Sequence, residues 1–208
     1  MSARSNEGRG PLYRLYINRI RRRLPPEGVP RHVAMIIDGN RRWARQFSSS
    51  AAHGHRAGAA KMREFLRWCD DLGVEVVSLY LLSLDNLRKR DSKELSDLIE
   101  IIADLADELS HERDWRVQHV GRADALPPDL ARVLSDSAER TRDHTGLHVN
   151  LAVGYGGRGE IVDAVRSIIQ QHDERGGSLE ELAASLTPEQ IGEHLYTGGQ
   201  PDPDLVIR

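Results

Sequence analysis

The run HVAMIIDGNRRWA (residues 32–44) closes an apolar stretch with Asp38, Gly39, Asn40, Arg41 and Arg42, and Trp43 follows directly. A carboxylate set among cationic and amide donors needs a reason to be there. Guanidinium groups make paired, charge-assisted bonds to phosphate oxygens. A glycine lets backbone approach a ligand closely, and a helix starting at this point would add free N–H groups. Mg2+ commonly takes one or two carboxylates from a protein and its remaining ligands from substrate phosphates and water. The segment therefore suits a magnesium-loaded diphosphate. The alternative is an ordinary strand ending in a solvated turn, and the rest of the chain has to decide.

Two other apolar runs end in polar groups, one in Ser83, Leu84, Asp85 and Asn86, the other in Tyr155, Gly156, Gly157 and Arg158. In an open α/β sheet, ligands bind beyond the carboxyl ends of the strands, so parallel neighbours would bring these groups to one mouth. The usual nucleotide signatures are missing: there is no G-x-x-x-x-G-K-[ST] run, and the glycines of GYGGRGE (154–160) are wrongly spaced for a dinucleotide turn. A phosphate site that is not a nucleotide site is the better fit.

The elements that must position these residues are legible. HVAMIID (32–38), VEVVSLYLLS (74–83), WRVQHVG (115–121), LHVNLAVGYG (147–156) and DLVIR (204–208) read as short strands, apolar on both faces as in a covered parallel sheet. Met62, Phe65, Leu66 and Cys69 recur at helical spacing, as do Leu95, Leu98, Ile99, Ile102, Leu105, Ala106 and Leu109, and later Ile161, Val162, Val165, Ile168 and Ile169. Ser178 and Thr187 are placed to cap two shorter helices. The alternation implies an α/β fold with a central, largely parallel sheet flanked by helices.

Composition sets the outer bounds. With 208 residues, net charge −3 and no apolar run near the roughly 20 residues that cross a bilayer, the chain reads as one soluble domain over 11–208. The overall charge gives nucleic-acid binding no help. A lone cysteine, Cys69, excludes an internal disulfide, reads as a packing residue, and fits a reducing cytoplasm. Residues 1–10 read as disordered. PLYRLYINRIRRRL (11–24) reads as a basic amphipathic helix that packs on its own domain or lies on an anionic membrane. The final DLVIR has nothing after it to cover a strand, which suggests a chain truncated at its C-terminal end.

HVAMIIDGNRRWA, GHRAGAAK (54–61), SLYLLSLDNL (78–87), NLAVGYGGRGEIVDA (150–164) and PDPDLVIR (201–208) resemble, in order and approximate spacing, the signature segments of the cis-prenyltransferases, the Z-prenyl diphosphate synthases. The resemblance covers most of residues 30–208. It implies a homodimeric, Mg2+-dependent enzyme that condenses isopentenyl diphosphate with an allylic prenyl diphosphate, whose hydrocarbon runs into a tunnel between sheet and helices. It implies Asp38 as the metal ligand, with Gly39, Asn40, Arg41, Arg42 and His55 on the allylic diphosphate and Trp43 beside them. Arg208 would hold isopentenyl diphosphate. Ser83 and the catalytic Asn86 would stand near the proton that is lost, with Leu84, Asp85, Leu87 and Lys89 contacting substrates from a turn-like, mobile lid over 84–95.

Departures from the family pattern refine this. Ala51 stands where many members have an arginine, Leu87 where long-chain members have tryptophan, and Leu81 where a small residue commonly faces the growing chain. A leucine there overfills a narrow tunnel, which implies a short product, around C15. Long-chain synthesis, irregular coupling of prenyl units, and a non-catalytic subunit of a prenyltransferase complex remain as alternatives. Retention of Asp38, Arg42 and Asn86 speaks against the last.

Overall fold

The five β-branched runs become β1 (His32–Ile36), β2 (Val76–Ser83), β3 (Arg116–Val120), β4 (His148–Tyr155) and β5 (Leu205–Ile207). They form one all-parallel sheet in the order β3-β4-β2-β1-β5. The structure, a computed structural model, describes residues 15–16, 19–20, 23–25, 28–46, 50–89, 92–112 and 114–208, the side chains of Arg41 and Arg45 excepted. The expected disorder of 1–10 and most of the basic 11–24 segment lie outside these residues. Among the described residues no helix is long and apolar enough to cross a membrane.

Parallel neighbours require crossover connections, and helices supply them. α1 (Asn40–Gln46) and α2 (Ala51–Leu72) join β1 to β2, and α3 (Leu84–Lys89) and α4 (Ser92–Ser110) join β2 to β3. α5 (Pro128–Arg140) leads to β4, and α6 (Gly157–Glu174), α7 (Leu179–Ser185) and α8 (Pro188–Glu193) lead to β5. Both predicted caps form: Ser178 with Glu181 and Thr187 with Gln190 make capping boxes. α2 ends at Gly73, whose φ of 82° is left-handed.

Residues 84–95 correct the expected turn. Ser83 Oγ accepts from Asn86 N at 3.1 Å, which starts α3 at once, and α4 is already under way at Ser92.

The sheet also departs from the expectation of two apolar faces. Alternate residues of a strand point to opposite sides. On one side Val33, Val77, Leu79, Val149, Leu151 and Val117 join α2, α4 and α5 in the main hydrophobic core. Cys69 is buried in that core, and burial pushes its thiol up to about 12. The other side carries His32, Ser78, Asn150 and Gln118, and it is polar because peptide backbone lies on it. His32 Nδ1 meets Pro201 O at 2.7 Å and Gln118 Nε2 donates to Tyr196 O at 2.9 Å. A buried carbonyl needs a donor, and these side chains provide it.

Candidate active site

Asp38 stands just past the carboxyl end of β1. Its Oδ1 accepts from Gly39 N at 2.7 Å; its Oδ2 accepts from Arg208 Nη2 and Nε at 2.8 and 3.2 Å and from Arg42 Nη2 at 3.3 Å. The Arg208 hydrogen bonds, then the Gly39 N–H, hold its carboxyl below the usual carboxylate range. Gly39 has φ 94°, a left-handed conformation that turns the chain from β1 into α1. Two further glycines bring α2 against this turn. A Cβ on Gly54 would collide with Asn40 O, and one on Gly58 would lie 2.7 Å from Asn40 Oδ1. That close approach explains the GHRAG stretch and fixes Asn40. His55, buried on α2, sets Nε2 3.4 Å from Glu94 Oε1 on α4.

Beneath this rim lies a cavity of about 120 Å³. Asp38, Gly39, Asn40, Arg42 and His55 form its polar mouth, and Met62, Leu81, Leu98, Ile101, Ile102 and Leu105 form its apolar floor. The floor lies between the sheet and α2 and α4, where Arg63–Glu108 and Arg67–Glu112 ion pairs join the two helices. A second cavity, about 240 Å³, opens beside it among Ile36, Tyr80, Ala152, Tyr155, Ser83 and Asn86. Leu81 and Ile37 line both cavities.

The position of Leu81 has a local cause. Tyr80 pairs with Ala152 and Leu82 with Val153, so Leu81 has no partner, and the count is restored where Ser83 pairs with Tyr155 and Gly154 is skipped. Gly154 has φ 65°. An unpaired residue in a ladder re-aims its side chain, and here it faces the cavities.

The remaining sequence-derived residues divide. Arg41 lies in α1, its side chain outside the described residues. Trp43 is 40% exposed and stacks on His53 at 5.9 Å, outside the lining of either cavity. Asp85 pairs with Lys89 along α3 at 3.3 Å, both exposed. Leu87 packs on the core, and Leu84 packs on the glycine turn that starts α6, near Gly156. Asp85, Lys89, Leu87 and Leu84 line neither of these two cavities. Sequence reading missed Ile101 and Met62 as floor residues, and Tyr80 and Tyr155 as walls. Their rings meet edge to face at 5.2 Å, and Tyr155 OH donates to Glu160 Oε2 at 2.7 Å. The apolar spacing of α2 and α4 was the available signal for the floor; Tyr155 was placed at the mouth by its strand end, and Tyr80 had no signal.

A five-stranded all-parallel sheet flanked by helices, with an apolar cleft beneath a rim of charged side chains, is the cis-prenyltransferase fold. The chain matches the family described as "Putative undecaprenyl diphosphate synthase" over residues 36–208 and belongs to it. A (2Z,6E)-farnesyl diphosphate synthase of Thermobifida fusca is 52% identical over 199 residues, which cover 95% of this chain and 78% of the relative. One of the same name from Mycobacterium tuberculosis is 48% identical over 202 residues, covering 95% and 77%. The crystal structure of lavandulyl diphosphate synthase from Lavandula x intermedia, in complex with dimethylallyl diphosphate, matches with TM-score 0.78 at 30% identity, over 88% of this chain and 78% of that one.

Proposed function

We propose that this protein is a short-chain cis-prenyl diphosphate synthase, adding isopentenyl diphosphate to an allylic diphosphate to give a C15 product, (2Z,6E)-farnesyl diphosphate. One observation carries the reading: the apolar cavity under the Asp38 rim is floored by α4 and narrowed by Leu81. A product with one inherited E bond and one new Z bond implies geranyl diphosphate as starter.

Asp38 is the carboxylate of the rim, and the described residues contain no group of three or more His, Cys, Asp or Glu that could hold a metal ion. That donor set fits Mg2+, which would take Asp38 and complete its shell with diphosphate oxygens and water. When bound, Mg2+ stabilises the negative charge that grows on the leaving diphosphate.

Asn40, Arg41, Arg42 and His55, with the Gly39 backbone, orient the allylic diphosphate. Arg208 holds the isopentenyl diphosphate across from Asp38. The allylic C–O bond breaks with its electron pair on the diphosphate. The isopentenyl double bond, seated against Tyr80 and Tyr155, attacks the allylic carbon, and loss of a proton leaves a Z double bond. An amide is a poor base, so Asn86, held through Ser83, orients the alkene and the proton passes to a diphosphate oxygen. The apolar walls exclude water from the cation. A second copy covers the exposed Ile161, Val162 and Ile169 of α6, making a homodimer that works in the cytoplasm, with peripheral membrane contact through residues 11–24 testable by vesicle co-sedimentation.

Labelled isopentenyl diphosphate with geranyl diphosphate, with and without Mg2+, tests the reading. A linear Z-configured C15 diphosphate formed only with Mg2+ is expected. No product, or a branched one, refutes it.

A further inference from the structure

β5 contributes only Leu205–Ile207 to the sheet, and Leu205 and Val206 are 44% and 59% exposed. Strand register is ordinarily fixed by burying one row of side chains; a slip of one residue flips every side chain and displaces it by about 3.3 Å. Fixed points upstream of a strand can set its register as well. Register matters here, because Arg208 directly follows β5 and must reach Asp38 Oδ2.

Two fixings stand just upstream. Asp204 Oδ2 accepts from Arg31 N and His32 N at 2.7 and 3.0 Å, while Asp204 N donates to His32 O at 2.9 Å. Gln200 enters the polar side of the sheet: its Oε1 accepts from Asn150 Nδ2 at 2.6 Å and its Nε2 donates to Gln118 Oε1 and Asn150 Oδ1 at 3.3 Å. Ser78 Oγ, fully inside, ties Asn150 to His32 at 3.0 and 2.9 Å. The seam thus links β1, β2, β4 and β3 to the peptide that leads into β5.

We infer that Gln200 and Asp204 are positioning residues: through the buried seam and the β1 start they set the register of β5, and thereby place Arg208 for the isopentenyl diphosphate. The inference rests on the role proposed above for Arg208.

Steady-state kinetics with each substrate varied in turn tests it. Asp204→Ala and Gln200→Met raise KM for isopentenyl diphosphate about tenfold, while KM for the allylic diphosphate stays within about twofold. Asp204→Asn, which keeps an oxygen for the two backbone N–H groups, restores KM to within about threefold of wild type. Gln200→Met decides the matter should Asp204→Ala not fold. Equal rises in both KM values, or no rise in either, overturn the inference. Arg208→Ala separates the two ideas. If it raises the isopentenyl KM while the Gln200 and Asp204 variants do not, positioning fails and the functional reading stands. If Arg208→Ala leaves that KM unchanged, the role of Arg208 falls, and the inference with it.

Discussion

The two sides of the sheet are built from alternate residues of the same strands, yet they hold the chain by different means. On the helix-covered side, Val77, Leu79, Val149 and Leu151 are fully buried among leucines and isoleucines of α2, α4 and α5. Packing there is non-directional, so space can be left for a flexible hydrocarbon, and the cavity floored by Met62, Leu98, Ile101 and Leu105 lies on that side. On the other side, His32, Ser78 and Asn150 bond in a chain, Gln118 joins them through Gln200, and His32 and Gln118 bond to a stretch of peptide. Hydrogen bonds are directional, and that side carries the segment that leads into β5 and Arg208. On the proposed reading, shape tolerance serves the growing tail and fixed geometry serves the charged heads. The two meet at Asp38.

The largest effect should come from that meeting point. Asp38→Ala is expected to lower kcat/KM by about 10³-fold or more while leaving the melting temperature near wild type, since the carboxylate sits at an open rim. A variant of near-normal activity would break the link between rim and chemistry. Next, Leu79→Ala on the apolar side should cost about 2–5 kcal/mol in urea unfolding. Asn150→Leu on the polar side, which strands Ser78 and Gln200, should cost less, about 1–3 kcal/mol. Equal costs would mean the two sides do not differ as described.

Leu81→Ala sharpens the comparison without touching stability much. Removing the side chain that lines both cavities should shift product towards longer chains, read by chromatography of the dephosphorylated prenols. An unchanged C15 product would move the length limit to α4.

The smallest effect is on pH. Burial, with the Arg116 and His32 charges, pushes the His148 imidazole down to about 4, against an ordinary value near 6.5. Between those values the unfolded chain binds a proton that the folded one does not, so stability falls as pH drops from about 6.5 towards about 4. His148 Nε2 lies 3.0 Å from Gln118 Oε1. His148→Gln should lose less melting temperature than wild type between about pH 7 and about pH 5. Equal losses would remove His148 from the polar side's pH response.

The difference between the sides also explains what could be read in advance. The apolar side announces itself through periodicity, so the strands and the α2 and α4 faces follow from local pattern, whereas Leu81 was reached through the family resemblance because its aim depends on an unpaired position in the β2–β4 ladder. The rim follows from local pattern too, because DGNRR is contiguous. His32, Ser78, Gln118 and Asn150 come from four separate segments, and each alone is a polar interruption. They become a seam only when Ser78 pairs with Asn150 and Asn150 with Gln118. α5 buries only Leu130, Leu134 and Ser137, too thin a stripe to stand out among charges. α3 hides in a charged run because its start depends on one serine hydroxyl. Trp43 was grouped with the rim by sequence adjacency, but a helical turn carries it onto His53.

A crystal structure with Mg2+ and a non-reacting allylic thiodiphosphate tests the central claim most directly. The account predicts the diphosphate at the Asp38 and Arg42 rim, Mg2+ on the Asp38 carboxylate, and the hydrocarbon running between α2 and α4 to end against Leu81 and Leu105. A thiodiphosphate bound elsewhere, or Asp38 turned to solvent with no ion beside it, would contradict it.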